Sequence, residues 1–411
     1  MSINRRKFVQ AAAAGTAALG FPAIVRSQSE PIRLGLLTIK TGALASGGID
    51  MERGLTIFLK EKNYTMGGRK VTLTVADTGA VPAQARTKMQ ELVERERVHA
   101  VVGPLAAFEA LAMDDYIRTA QIPTLPIAGA EDMTQRKANP WFVRATSTSS
   151  QCAYPMADYC AKTLKYRRMA AIADDFAYGH EMLGGFQKVY EDAGGALVQK
   201  LFSPLNAPDY GSYIAQIRRD VDGVFLGFAG SNGFRFFKQY NEYGMKTPIL
   251  GGMTAFDEVA LRNMGDYALG SLSSCWYSAQ HDNPINKRFV AAYRADNNYD
   301  PGQYASGTYL YGEVLFAAIE ALRGRVEDKQ AFIKALRAVR VDTLRGPIKF
   351  DDYGNVVGNI DIRKVEKRDG RLVNSPIHTY RDVSQFWTYE PQSFLKQPVW
   401  SRDFPPMKAG T

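Results

Sequence analysis

From Pro31 onward, short apolar runs alternate with longer amphipathic ones. IRLGLLT, from Ile32, reads as a strand and ends at a Gly-rich loop, Thr41 to Gly48. A helical pattern follows from Asp50 to about Asn63, and VTLTVAD, from Val71, alternates with period two. Val81-Pro82 opens a second helix, QARTKMQELVER, with Glu and Arg on its outer face. HAVVG (strand), a loop at Gly103-Pro104, a helix from Glu109 to Thr119 and IPTLPIA (strand) complete a βαβαβαβ rhythm. Such a rhythm implies a parallel sheet with helices on both faces.

The rhythm restarts after Arg144. A helix near Ser150 precedes RMAAIADD (strand), a loop at Phe176 to Gly179, and a helix from Glu181 to Ala193. VQKLFS (strand), YGSYIAQIRRD (helix), DGVFLGFAG (strand), a helix from Phe234 to Tyr243 and PILGGM (strand) follow. Two α/β sheets therefore succeed one another. After Tyr277 come a helix from Pro284 to Asn297, a long helix from Ala305 to Leu322 and a short one from Lys329 to Val339. IDIRKVEKRDGRLV reads as a hairpin turning at Asp369-Gly370, and the Pro-, Trp- and Tyr-rich stretch from Ser384 as an extended tail wrapping the surface.

Composition narrows the class. The chain has 411 residues, 45% hydrophobic and 23% charged, which excludes a disordered, collagen-like or polytopic membrane protein and favours two domains. Lys and Arg number 51 against 42 Asp and Glu, a net charge of +9. Four of those basic groups (Arg5, Arg6, Lys7 and Arg26) lie before Gln28, with no acid beside them. The rest of the chain carries no basic run, so nucleic acid is not expected as a partner. Residues 1–28 combine the basic patch with about a dozen small, apolar residues, too few to span a bilayer of ~20 residues' helical length. Asn4-Arg5-Arg6-Lys7-Phe8-Val9 resembles a twin-arginine export signal. The expected mature chain is periplasmic, not lipid-anchored, and begins near Ser29 or Glu30.

Cysteine and histidine usage removes further classes. Cys152, Cys160 and Cys275 are too few and scattered for a disulfide framework or a zinc site. Cys152 and Cys160 on one helix stand ~12 Å apart, too far to bridge. His99, His180, His281 and His378 are each about a hundred residues from the next, and no metal or cofactor site is read from them. No GxSxG elbow, HExxH, CxxC, P-loop or GxGxxG fingerprint supports the rival reading of a periplasmic hydrolase or oxidoreductase.

Five segments together resemble the type I periplasmic solute-binding proteins of ABC importers, the leucine/isoleucine/valine-binding family: IRLGLLTIKTGALASGGIDMERG, VVGPLAAFEA, FAYGHEM, NEYGMKTPILGG and LRGPIKFDDYGN. The resemblance spans roughly Pro31 to Tyr380. It implies an α/β fold of two doubly wound parallel-sheet lobes joined by three crossovers, near Ala145-Thr146, Ser274 to Tyr277, and Phe350. Lobe 1 would comprise 30–145 and 278–350, lobe 2 residues 146–277 and 351–383, and 384–411 a C-terminal extension. It also implies a small-molecule ligand between the lobes, an ABC permease as partner, a monomeric chain and no enzymatic activity. A sensor that presents its closed form to a receptor is the other reading of such a fold.

Carried over residue by residue, the family pattern departs at several places. The turn after Gly103-Pro104, which in amino-acid binders supplies a serine for the α-carboxylate, here reads Leu105-Ala106-Ala107-Phe108. The next strand end, where a threonine is usual, reads Ile127-Ala128-Gly129-Ala130. Met253-Thr254 stands where an acid would pair with an α-ammonium. Tyr178 and Tyr304 match family aromatics, Ser46 and Gly47 occupy the first-lobe loop, and Phe228 and Ser231 bracket another strand end. The implied site is apolar and aromatic, through Phe108, Tyr178, Phe228, Met253 and Tyr304, with backbone amides of Ala106, Ala107, Ala128 and Gly129 for an anion. An aromatic carboxylic acid of the benzoate or cinnamate type suits it, with a branched-chain or other amino acid or amide as the alternative. Arg144 as a carboxylate clamp or lobe tie, His180 beside the loop and Gln151 at a helix start are secondary candidates.

Overall fold

A computed structural model describes residues 30–408. The export-signal reading of residues 1–28 and the last three residues of the tail lie outside these residues. No described helix is long and apolar enough to cross a membrane.

The first layer of strand and helix follows the pattern closely. β1 (Ile32–Thr38) leads into α1 (Ala45–Glu61), and β2 (Thr65–Met66) turns into β3 (Arg69–Asp77). α2 (Pro82–Gln90), β4 (Ala100–Val102), α3 (Ala107–Ala120) and β5 (Thr124–Leu125) follow. The sheet order is β2-β3-β1-β4-β5, with parallel pairing of β1 to β3 (Ile32 opposite Val71) and to β4 (Leu34 opposite Ala100). Two expectations shift. α1 starts five residues before Asp50, inside the Gly-rich segment. A Cβ on Gly48 would lie 1.7 Å from the Ile39 carbonyl oxygen, so glycine there lets the helix start against the end of β1. β5 is two residues rather than seven, because Pro123 and Pro126 on either side have no N–H for the ladder.

The second layer repeats the plan. α4 (Ser149–Lys162), β6 (Arg168–Asp174), α5 (Ala177–Asp192), β7 (Ala196–Ser203), α6 (Gly211–Gln216), β8 (Gly223–Gly227), α7 (Asn232–Glu242) and β9 (Ile249–Gly251) alternate. α8 (Glu258–Leu261) and β10 (Leu272–Cys275) complete this stretch. α6 stops at Gln216 instead of continuing to Asp220. The Gln199 side chain on β7 takes over its end, donating to the Gln216 carbonyl (2.8 Å) and accepting from the Arg218 amide (3.0 Å).

α9 (Pro284–Asp296), α10 (Gln303–Ala321) and α11 (Lys329–Arg337) return to the first layer, α10 lying along α1. The Gly54 position shows how closely: a Cβ there would sit 1.9 Å from the Ala305 carbonyl oxygen. β11 (Val341–Thr343), β12 (Gly346–Phe350), β13 (Val356–Arg368) and β14 (Arg371–Val383) close the larger sheet, whose order is β11-β12-β13-β10-β9-β8-β6-β7 with β14 on β13. Residues 341–350, expected with the first lobe, thus join this sheet, Lys349 and Phe350 pairing with the start of β13 and β11 pairing with β12. The hairpin turns at Asp369-Gly370, both at positive φ.

The passages between the layers lie side by side. Arg144 bridges to Asn355 in parallel. The Arg345 guanidinium donates to the Ala145 carbonyl (3.0 Å) and to that of Asn359 (2.7 Å), and it stacks 4.9 Å over the Trp276 ring. Beyond Val383 the chain is not simply extended. α12 (Pro391–Phe394) and the loops around it build a small aromatic cluster of Phe386, Phe394 and Trp400.

Candidate functional site

Sheet order locates the site before any side chain is considered. In an open parallel sheet, ligands bind where two neighbouring strands send their connections to opposite sides. β1 is flanked by β3 and β4, and β6 by β7 and β8. The carboxyl ends of β1 and β4 are the segments at Leu44 and Leu105–Ala107; those of β6 and β8 are at Phe176 with Tyr178 and at Ala229. All of these residues line one cavity between the layers. Ile127 and Gly129 after β5, Met253 and Thr254 after β9, and Gln303 and Tyr304 at the start of α10 complete it. The lobes touch around it: the Ser231 amide donates to the Ala43 carbonyl (3.2 Å) and the Gln303 amide to Asp257 Oδ1 (2.8 Å). The space open to the centre of a water molecule is only ≈ 30 Å³, against ~10–15 Å³ needed for one water.

No lining residue carries a formal charge. The Tyr178 hydroxyl pairs with Thr254 Oγ1 (2.6 Å), and Thr254 in turn donates to the Phe228 carbonyl. Burial pushes the Tyr178 hydroxyl well above its ordinary range, and that of Tyr304 likewise, so both stay neutral. Phe176 stacks on Tyr178 at 6.0 Å and meets the edge of Phe108 at 5.7 Å, giving one aromatic wall.

What the cavity offers a polar ligand is mostly backbone. α3, α5 and α10 all begin at its edge, each bringing the equivalent of roughly half a positive charge. In α3 the first helical hydrogen bond is made by the Ala110 amide to the Ala106 carbonyl (3.2 Å). The amides of Ala107, Phe108 and Glu109 precede it and have no helical partner. The Glu109 carboxylate folds back onto the Ala106 amide (3.3 Å) and also accepts from Thr78; burial pushes its pKa up to about 7. Asp174 plays a similar part opposite. It accepts from the Ala229 amide (2.7 Å) and from Asn232 Nδ2 (2.7 Å), with burial raising it to about 7. Uncharged walls and three helix N-termini suit a single small anion.

Eight of the residues singled out in the sequence line this cavity: Leu105, Ala106, Ala107, Gly129, Tyr178, Met253, Thr254 and Tyr304. Phe228 does not. Its ring packs in the second-lobe core against Tyr210 (5.4 Å) and Phe236 (4.9 Å), and the neighbouring Ala229 faces the cavity. Ala128 is turned away between Ile127 and Gly129, its carbonyl accepting from Arg144. Phe108 stands behind Phe176. Ser46 and Gly47 are in the first turn of α1, where Leu44 replaces them as lining; a Cβ on Gly47 would lie 3.0 Å from the Tyr304 ring. Ser231 serves the interlobe contact through its amide. Leu44, Ile127, Phe176, Ala229 and Gln303 line the cavity without having been singled out, although each lies in or beside a segment that was, Gln303 next to Tyr304.

The secondary candidates belong to the lobe junction. Arg144 is fully buried and donates to the carbonyls of Ala128 (3.1 Å) and Ala130 (3.0 Å), to Asn355 Oδ1 (2.9 Å) and to Thr134, which commits four of its five N–H donors to the lobe junction, and it does not line the cavity. Gln151 caps its helix through Thr148 and donates to the carbonyls of Val356 (2.9 Å) and Val383 (2.7 Å). His180 pairs with Asp175 (2.8 Å). Behind Gly129, Glu181 accepts from the Glu131 amide (3.0 Å) and from Ser149 (2.6 Å). Burial, with Glu131 adding repulsion, raises Glu181 to about 8. Cys152, Cys160 and Cys275 are all free thiols and buried.

Comparison with known proteins agrees with this architecture. The family described as periplasmic binding protein matches residues 31–371. The chain is 27% identical over 364 residues to Leu/Ile/Val-binding protein homolog 6 of Brucella abortus (strain 2308), covering 86% of this chain and 92% of that protein. An ABC transporter substrate-binding protein from Sphaerobacter thermophilus superimposes with a TM-score of 0.81 at 33% identity, over 87% of this chain and 99% of its own. A solute-binding protein of an ABC transporter from Rhodopseudomonas palustris BisB5, solved in complex with 3,4-dihydroxy benzoic acid, gives 0.82 at 30% identity over 86% and 98%. Such proteins bind small molecules and work with ABC permeases; the family is one of solute-binding proteins rather than enzymes. The chain belongs to the periplasmic binding protein family, has its type I fold, and is a substrate-binding protein of the ABC transporter class.

Proposed function

We propose that the protein captures an aromatic carboxylic acid of the benzoate or cinnamate type in the interlobe cavity and delivers it to an ABC permease. One observation carries this reading: the lining has no charged side chain, while three helix N-termini meet there. An α-amino acid brings an ammonium group, and a buried ammonium without a carboxylate partner loses several kcal/mol of hydration. A carboxylate alone is served by the orphan amides at the start of α3. The ring then lies along Phe176, Tyr178 and Tyr304. The closed cavity is narrower than a ring, so entry is through the open form, and the unbranched Met253 side chain is the adaptable wall. The ligand, touching both lobes only when they are closed, draws the equilibrium toward closure.

The relative of known structure with 3,4-dihydroxy benzoic acid supports this class of ligand. The Leu/Ile/Val-binding relative favours the second reading, a branched-chain amino acid. We place the working chain in the periplasm, as a monomer exported through residues 1–28, with lobes divided near 145, 277 and 350. Receptor signalling in place of transport is the remaining alternative. The test is a melting series on refolded, ligand-stripped protein against benzoates, cinnamates, branched-chain amino acids and amides. A ligand at 100 times its Kd adds about 2.7 kcal/mol. Upward shifts with the aromatic acids alone support the proposal; shifts with leucine or valine alone refute it and favour the amino-acid reading.

A further inference from the structure

One polar side chain of the cavity is buried with neither end hydrogen-bonded. Gln303, the first residue of α10, is 1% exposed, and neither its Nε2 nor its Oε1 has a hydrogen-bond partner. Of its polar neighbours on the lining, Tyr178 and Thr254 bond each other, and the Tyr304 hydroxyl is close enough to the amide to feel its dipole but stands outside hydrogen-bond geometry. The backbone cannot carry the amide elsewhere. Asp257 Oδ1 holds the Gln303 N–H at 2.8 Å, and a Cβ on the preceding Gly302 would fall 2.1 Å from Asp257 Oδ2. A buried amide with both ends unmet is costly unless a ligand completes it.

We propose that the Gln303 amide is the specificity-determining group for a ring hydroxyl, so that the preferred ligand is a hydroxylated aromatic acid and not the unsubstituted one. The proposal rests on the aromatic-acid reading above. A primary amide presents an acceptor and two donors; a carboxylate only accepts, so it would pair with Nε2 and leave Oε1 without a donor. A hydroxyl both donates and accepts, and matches either end; adjacent hydroxyls match both. An unsubstituted ring leaves the amide unpaired, and a site built to bond a hydroxyl discriminates strongly against the analogue that lacks it.

The test is calorimetric titration of wild-type protein, Gln303→Leu and Gln303→Met with benzoate, 3-hydroxybenzoate, 4-hydroxybenzoate and 3,4-dihydroxybenzoate. In the wild type at least one hydroxylated acid binds about tenfold or more tighter than benzoate. In both variants that ratio falls to within about threefold, the hydroxylated acids losing more affinity than benzoate, and the ligand-free protein melts no lower than wild type, because an unpaired buried amide has been removed. A wild type without preference overturns the proposal, as does a variant that retains it or that loses benzoate together with the hydroxylated acids. If none of the four acids binds the wild type, the aromatic-acid reading itself fails, and this proposal with it.

Discussion

The substitution Ala107→Asp places a carboxylate beside the orphan amides that begin α3. An acid in a first helical turn is compatible with the helix dipole, so the fold should tolerate it. A bound carboxylate would then face a like charge in a dry site. We expect the Kd for an aromatic acid to rise about 100-fold with a melting shift of only a degree or two, read by titration and calorimetry on the same sample. Arg144→Met tests the opposite kind of residue. It leaves the carbonyls of Ala128 and Ala130 and the side chain of Asn355 without their donor at the lobe junction. Losing one member of such a buried network costs about 3–5 kcal/mol, to be read from the urea midpoint. The same residue scale explains where sequence reading slipped. Strand ends alternate direction with period two, so an error of one residue exchanges Phe228 for Ala229 and Ala128 for its neighbours Ile127 and Gly129. Gln303 left no comparable trace, since nothing in its local pattern separates a buried, unpaired amide from a solvated one.

At the scale of elements, the alternation of strand and helix and the hairpin at Asp369-Gly370 were legible because each is written in local periodicity. Departures came where another part of the chain intervened, as when Gln199 ends α6, or where prolines shorten β5. The segment after Val383 shows the limit. Its aromatic content was visible, but not that Trp400 packs on Gly184 of α5 and that Arg136, from the loop after β5, donates to the carbonyls of Gln397 (2.7 Å) and Pro398 (3.1 Å). Gln385 adds a tie to the Thr134 carbonyl (2.9 Å), and Arg402 pairs with Asp175 (2.8 Å), one residue from Phe176 of the aromatic wall. This segment therefore holds the region after β5 and the start of α5 together. Trp400→Ala should cost about 3 kcal/mol of stability, visible as a lower denaturant midpoint with little change in the slope.

For the whole molecule, burial leaves several carboxyls with raised pKa values, among them Glu109 and Asp174 near 7 and Glu181 near 8. A carboxyl whose folded pKa exceeds its unfolded one holds its proton longer in the native state. Its stabilisation is complete below about pH 4, the unfolded value, and is lost as pH rises through 7 to 8. The melting temperature should therefore fall between pH 5 and pH 9. Glu181→Gln keeps the contacts to Ser149 and to the Glu131 amide without the titrating group, so its curve should be flatter and lie above wild type at pH 9. A wild-type curve that rises across this range would contradict the assignment.

The proposed function turns on one electrostatic claim, that the cavity serves a carboxylate and has no partner for an ammonium. Matched pairs isolate it: 3-phenylpropanoate against phenylalanine, and 4-methylpentanoate against leucine, each pair differing only in the α-ammonium. Titration of ligand-stripped protein should show the acid without the ammonium binding tighter in both pairs, by about 100-fold where both can be measured. Tighter binding of phenylalanine or leucine would mean that an ammonium partner exists in the closed site, and would contradict the account directly.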